Sequence, residues 1–259
     1  MAALILTVGA AHGEPLIVAH RGASRDAPEN TLPAFRLAWE QKADAIEGDF
    51  HLTRDGHIVC LHDRDTAKVA EEKLVARESS LAELRKLDVG RSHAPEFVGT
   101  RIPTIAEVFA TVPEGGKIFV EVKCGPEMIP ALLREVKESG LRTHQVVVIS
   151  FDAAVIKTLE KKAPRFETAW LSSFRKTKDG AISPSSEKVL ETLRAIGADG
   201  FSSSQDRIDQ AFIREIQNAG FHYHVWTVDH GETAKRFRQW GARSITTNLP
   251  GPIRQKLSE

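Results

Sequence analysis

The chain has 259 residues, 41% of them hydrophobic, with 35 lysines and arginines against 35 aspartates and glutamates. That length suits a single α/β barrel of about 250 residues and is ample for one hydrophobic core. The charge balance excludes a dedicated nucleic-acid binder and an acidic disordered chain, and two cysteines exclude a disulfide scaffold or an all-cysteine zinc site.

The chain opens on an apolar stretch, Met1-Ala-Ala-Leu-Ile-Leu-Thr-Val, that ends in small residues before Glu14-Pro15. It has the hydrophobic part and cleavage region of a secretory signal but lacks the basic start. Residues 1–13 therefore read as a residual signal or an amino-terminal extension, and location stays open between the cytoplasm and export. No apolar run reaches the ~20 residues needed to cross a bilayer, so no stable membrane insertion is expected.

From there, strand signals alternate with helix signals. Apolar or alternating runs bounded by turn residues fall at Leu16–Ala19, Ala45–Leu52, Ile58–Leu61, Ile118–Val122, Val146–Phe151, Thr168–Leu171, Gly200–Ser203, His222–Val228 and Ser244–Thr247. Helical periodicity occupies Leu32–Trp39, Ile105–Phe109, Met128–Val136, Ala153–Leu159, Val189–Ile196, Ile208–Ala219 and Thr233–Trp240. Thr31, Thr104 and Asp152 stand where helix caps are needed, and Gly197 and Gly220 where helices should stop. No repeat or linker divides residues 14–259, which read as one domain.

Nine strands are one too many for an eight-stranded barrel. Ala45–Thr53 and His57–His62 are separated only by Arg54-Asp55-Gly56, and Asp-Gly is a strong hairpin signal. A parallel pair would need a crossover of a dozen or more residues, so this pair is antiparallel and its second member is a return strand at the barrel rim. The expected fold is a (β/α)8 TIM barrel with an extra β-hairpin return strand. A doubly wound open sheet is the alternative, weakened by the lack of a Gly-x-Gly-x-x-Gly turn after the first strand. Arg64–Arg101, charged and with one helical patch at Leu81–Leu87, reads as a small insertion near the barrel mouth.

The hairpin collects titratable groups. Glu47 and Asp49 are two apart on one strand and so share a face. A two-residue turn at Asp55-Gly56 sets Asp49 opposite His62, and a four-residue turn sets Glu47 there; an odd-length loop would not keep the three on one face. Glu121, on Ile118–Lys123, supplies a third carboxylate from a neighbouring strand. Three carboxylates with water suit a hard cation, Mg2+ or Ca2+. The alternative is a set of salt bridges with Arg21 and Lys123. The first strand ends in His20-Arg21-Gly22, where an arginine can fork onto a phosphate oxygen. His51 and His57 flank the turn and read as solvated.

These residues carry a resemblance. Ile17-Val-Ala-His-Arg-Gly-Ala, Pro28-Glu-Asn-Thr31, Ile46-Glu-Gly-Asp-Phe-His-Leu-Thr-Arg-Asp-Gly56 and Val59-Cys-Leu-His-Asp63 resemble the glycerophosphodiester phosphodiesterases, TIM-barrel phosphodiesterases of the phosphatidylinositol-phospholipase-C-like kind. Ile102-Pro-Thr104, Val120-Glu-Val-Lys123, Ile149-Ser-Phe151, Val225-Trp-Thr-Val-Asp229 and Ile245-Thr-Thr-Asn248 are similar too, so the likeness runs from Ile17 to Pro250. It implies one divalent cation, Ca2+ or Mg2+, held by Glu47, Asp49 and Glu121. His20 and His62 become the general acid/base pair, Arg21 and Lys123 phosphate contacts, and Trp226 a wall beside the glycerol. The implied reaction is hydrolysis of a small-molecule glycerophosphodiester to sn-glycerol 3-phosphate and an alcohol. A lysophospholipase D and a noncatalytic phosphoglycerol binder are the alternatives. Head group, the assignment of acid and base, and attack by water or by the glycerol 2-hydroxyl stay open, as does oligomeric state. Two departures stand out: Arg64-Asp-Thr-Ala-Lys-Val-Ala70 replaces a Pro-Thr-Leu-like stretch, and Asn248 stands where an Asp is common.

Overall fold

The computed structural model describes residues 13–259, so the apolar amino-terminal stretch lies outside the described residues. Eight strands run parallel: β1 (Leu16–Ala19), β2 (Ala45–Leu52), β4 (Lys117–Val122), β5 (Val146–Ser150), β6 (Glu167–Ser172), β9 (Gly200–Ser204), β10 (His222–Trp226) and β11 (Ser244–Thr247). Pairing of β1 with both β11 and β2 closes them into the expected TIM barrel. Most of these strands are buried along their length, because helices cover the outside while side chains fill the inside. Val18, Ala45, Phe119, Val147 and Ala169 pack together in the interior, so the barrel is a filled core.

Helices α1 (Leu32–Glu40), α4 (Ile129–Ser139), α5 (Ala153–Lys162), α6 (Ser186–Ile196), α7 (Gln210–Asn218) and α8 (Gly231–Gln239) match periodic segments to within a few residues. The Thr31 hydroxyl caps α1 by accepting from the Ala34 N–H, and Thr104 with Glu107 forms a capping box on α3 (Ile105–Phe109). The insertion carries α2 (Leu81–Leu84) over a small core in which its Leu84, Leu87 and Val89 pack with Val59 of the return strand and Ile102. A closing helix, α9 (Pro250–Ser258), and a two-residue pairing of β7 (Arg175–Lys176) with β8 (Ile182–Ser183) escape the sequence reading. In α9 two prolines at the start resemble a terminal coil, although the first helical turn tolerates them. β10 also stops at Trp226, short of Val228.

The return strand β3 (Ile58–Cys60) is antiparallel to β2, as expected, but its register differs from both expected turns. Phe50 faces Cys60, His51 faces Val59 and Leu52 faces Ile58, with Arg54, Asp55 and Gly56 forming an odd-length loop. Asp55 fixes that loop: its Oδ1 accepts from the Thr53 hydroxyl at 2.6 Å and from the Leu81 N–H at 3.1 Å. Neither Asp49 nor Glu47 therefore lies opposite His62. His62 reaches the site because β3 has already ended at Cys60, so strand alternation no longer dictates its direction.

Candidate active site

Strands β1, β2 and β4 deliver their polar groups to the carboxyl-terminal rim, beside His62 just beyond β3. There a cavity of about 190 Å3 is lined by His20, Arg21, Glu47, His62, Glu121, Lys123 and Trp226, together with Phe151, His224 and Thr246. The parallel register of β2 and β4 sets Asp49 beside Glu121. One carboxylate oxygen from each of Glu47, Asp49 and Glu121 lies within 4.8 Å of the others.

The turn after β1 is built for this rim. Gly22 has φ +82°, and a Cβ there would lie 2.5 Å from the Ala34 carbonyl carbon of α1, so only glycine fits. Arg21 itself sits at φ +56°, an uncommon conformation for a side chain of its size. In exchange, the Arg21 N–H donates to Glu47 Oε2 at 2.9 Å. Its guanidinium bridges Glu29 at 3.0 Å and Asp49 at 3.1 Å.

Salt bridges thus form at two of the three carboxylates. Lys123 Nζ is 2.9 Å from Glu121 and 3.5 Å from Asp49. Glu47 differs: its Oε1 is buried and has no hydrogen-bond partner among the described residues. Burial, then the charges of Asp49 and Glu121, pushes the Glu47 carboxyl well above its usual range. Glu121 is pushed up to about 7 by burial and Asp49, with Lys123 opposing. Burial would raise Asp49 as well, but Arg21 and Lys123 outweigh it and hold that carboxyl low. Two buried carboxyls and a partly buried third, two of the three resisting ionisation and one with a bare oxygen, fit a hard divalent cation. Glu47, Asp49 and Glu121 are the residues that would hold it.

The two histidines are oriented differently. His20 Nδ1 is 2.7 Å from Asn248 Oδ1, and burial followed by the Arg21 charge lowers its pKa to about 4. His62 Nδ1 is 2.7 Å from the Asp63 carboxylate. His51 corrects the sequence reading, for it is buried: its Nε2 donates to the His62 carbonyl at 3.2 Å and so ties down the chain that carries His62. His57 is exposed, as expected. The alternation of β2 already puts His51 on the face of Glu47 and Asp49, and that signal identifies it.

Other supporting residues also carry no role in the sequence reading. Asn30 has φ +60° and binds Asp49 through both ends of its amide. Glu29 links Arg21 to Lys68 of the insertion, at 3.0 and 3.7 Å. Both lie in the Pro28–Thr31 motif, and Asp63 simply follows His62. Trp226 meets Phe151 edge to face at 5.8 Å, so the apolar wall has a second member at the rim. A separate group, Glu167 with His222 and His224, lies where β6 and β10 begin. There Arg243 at 2.9 Å already pairs with Glu167.

Comparison with known proteins agrees with this geometry. Residues 20–251 match the model of the glycerophosphoryl diester phosphodiesterase family. The chain is 31% identical to a glycerophosphodiester phosphodiesterase of Caldanaerobacter subterraneus subsp. tengcongensis, over 91% of this chain and 94% of that protein. It is 27% identical to one from Bacillus subtilis, over 91% and 84% of the two chains. A solved phosphodiesterase from Oleispira antarctica, in complex with the product sn-glycerol-3-phosphate, superposes with a TM-score of 0.85 at 24% identity, covering 95% of this chain and 98% of that one. With a barrel rim that gathers carboxylates, histidines and cations on one cavity, the chain belongs to the glycerophosphoryl diester phosphodiesterase family and is a phosphodiesterase.

Proposed function

We propose that the protein hydrolyses glycerophosphodiesters to sn-glycerol 3-phosphate and an alcohol, using a divalent cation, Ca2+ or Mg2+, and histidine general acid/base catalysis. The bare, buried Glu47 Oε1 beside Asp49 and Glu121, in the cavity that His20 and His62 line, is the observation that carries this reading. The complex of the Oleispira antarctica relative with sn-glycerol-3-phosphate supports the product.

A phosphodiester is anionic and repels nucleophiles. A cation bound by the three carboxylates would neutralise charge on the phosphoryl oxygens. Arg21 and Lys123 line the same cavity and contribute two further positive charges toward the phosphate. One imidazole takes the proton of the attacking hydroxyl as the new O–P bond forms. The other gives a proton to the alcohol oxygen as the old P–O bond breaks. Trp226 and Phe151 form an apolar wall for the carbon skeleton.

Long-chain substrates find little support. Among the described residues the exposed large apolar side chains are Val98 and Phe151, which make no ridge for an acyl tail. No helix of the described residues is long and apolar enough to cross a membrane. Purified protein is expected to release glycerol 3-phosphate from glycerophosphocholine or glycerophosphoethanolamine, and EDTA to stop it. His20→Ala and His62→Ala should lose release with metal content unchanged. Full activity in both variants would sink the mechanism, and tight binding of either compound without turnover by the wild type would instead show a binder.

A further inference from the structure

His20 has an amide for a partner, and the direction of that amide decides where the His20 proton sits. Asn248 Oδ1 lies 2.7 Å from His20 Nδ1. Asn and His orientations follow from their hydrogen-bond partners, and here the deciding partner is Asp229. Asn248 Nδ2 donates to Asp229 Oδ2 at 2.6 Å, and the Asn248 N–H donates to Asp229 Oδ1 at 2.8 Å. The Thr247 hydroxyl donates to the same Oδ1 at 3.0 Å, which anchors the carboxylate. An ionised carboxylate only accepts, so a reversed amide would press oxygen against oxygen. Asn248 Oδ1 is thereby held toward His20, where the Ser24 hydroxyl also donates to it at 2.9 Å.

An amide oxygen cannot donate, so His20 Nδ1 carries the hydrogen. Burial and the neighbouring Arg21 outweigh the hydrogen bond to Asn248 and the charges of Asp49 and Glu29, which favours the neutral ring. Nε2 then carries a lone pair; it has no partner among the described residues, and the ring lines the cavity. His62 has a different partner, the carboxylate of Asp63, which can neutralise a proton-bearing ring.

We propose that Asp229 and Asn248 form a relay that fixes His20 as the Nδ1–H tautomer, making His20 Nε2 the proton acceptor and His62 the donor. This rests on reading His20 and His62 as the acid/base pair. Asp229 and Asn248 are positioning residues, since they act through His20. The proton of the attacking hydroxyl goes to His20 Nε2, and the departing alkoxide takes one from His62. The relay also accounts for an asparagine at position 248: a neutral amide behaves as a fixed acceptor only because Asp229 stands behind it.

Nitrogen-15 NMR of the whole protein, with the His20 signal assigned through His20→Ala, reads the tautomer directly. Wild type should show Nδ1–H at His20. Asp229→Asn frees the amide to turn, so Nε2–H should appear and kcat should fall by on the order of 10²–10⁴, the cost of a misplaced general base, with KM little changed. Combining Asp229→Asn with Asn248→Asp restores an acceptor facing His20 and a donor behind it. That double variant should regain the Nδ1–H signature and most of kcat, which a merely structural role would not produce. An Nε2–H tautomer in wild type, or unchanged tautomer and kcat in Asp229→Asn, would overturn the relay. If Asp229→Asn fails to fold, the wild-type signature and the double variant still decide. Absence of turnover in the wild type would overturn the functional reading instead, while the tautomer remained measurable.

Discussion

Asn30 holds Asp49 at two points: its Nδ2 donates to Asp49 Oδ2 at 2.9 Å, and the Asp49 N–H donates to Asn30 Oδ1 at 3.1 Å. The carboxylate is thus aimed by a residue outside its own strand, and Asn30 does so from φ +60°. Asn30→Gly keeps that backbone conformation and removes the amide. We expect it to weaken divalent-cation binding by about 10- to 100-fold, as for other partners of metal ligands, while the protein stays folded. Calorimetric titration of EDTA-stripped protein measures this; unchanged affinity would show that Asp49 needs no such support.

Glu47 makes the metal-free protein pay for its own site. Its bare oxygen and raised pKa mark a buried carboxyl crowded by Asp49 and Glu121. Glu47→Gln relieves that crowding, so the stripped variant should melt at or above stripped wild type. Added Ca2+ or Mg2+ should raise the Tm of wild type by mass action and leave the variant's Tm unchanged. An equal metal-induced rise in both proteins would remove Glu47 from the ligand set.

His51 anchors the chain at His62 through one hydrogen bond to its carbonyl. His51→Ala leaves that part-buried acceptor without its partner, a loss of about 0.5–1.5 kcal/mol. The measurable consequence is a lower kcat at unchanged metal content, because His62 loses its fixed position. His51→Gln, which can still donate, should recover part of both. Denaturant unfolding and steady-state kinetics on the same preparations separate the two effects.

Stability should fall on acidification through buried neutral histidines. His224 is buried, its Nδ1 is 2.8 Å from Ser244 Oγ, and burial lowers its pKa to about 3. A lowered folded pKa means that the unfolded chain binds the proton first. The stabilisation is therefore complete above about pH 6.5 and is lost as the pH drops below that value toward the folded one. By pH 5 the loss is on the order of 2 kcal/mol for such a residue. His224→Gln should flatten the dependence between pH 7.5 and 5 in urea unfolding of metal-free protein. An identical slope in variant and wild type would mean that another group sets the acid limb.

The sequence by itself determined the barrel and its cast of residues. Strand and helix periods, with the Asp55-Gly56 turn separating one extra strand, are local properties, and they fixed the eight-strand count because a parallel neighbour cannot follow so short a loop. Glu47 and Asp49 share a face by alternation alone, and motifs along the chain named His20, His62 and Glu121. Register was decided elsewhere: Asp55 bonds Thr53 and Leu81, a residue of the distant insertion, and so selects an odd-length loop that local turn statistics do not foresee. His51 turned inward for a similar reason, since its partner is the His62 carbonyl, just beyond the return strand. The direction of the Asn248 amide depends on Asp229, nineteen positions away along the chain and reached only when β10 and β11 pair. Composition and periodicity select which groups enter the site; which nitrogen holds a proton, and which carboxylate oxygen is left bare, are set by contacts that exist only once the barrel has closed.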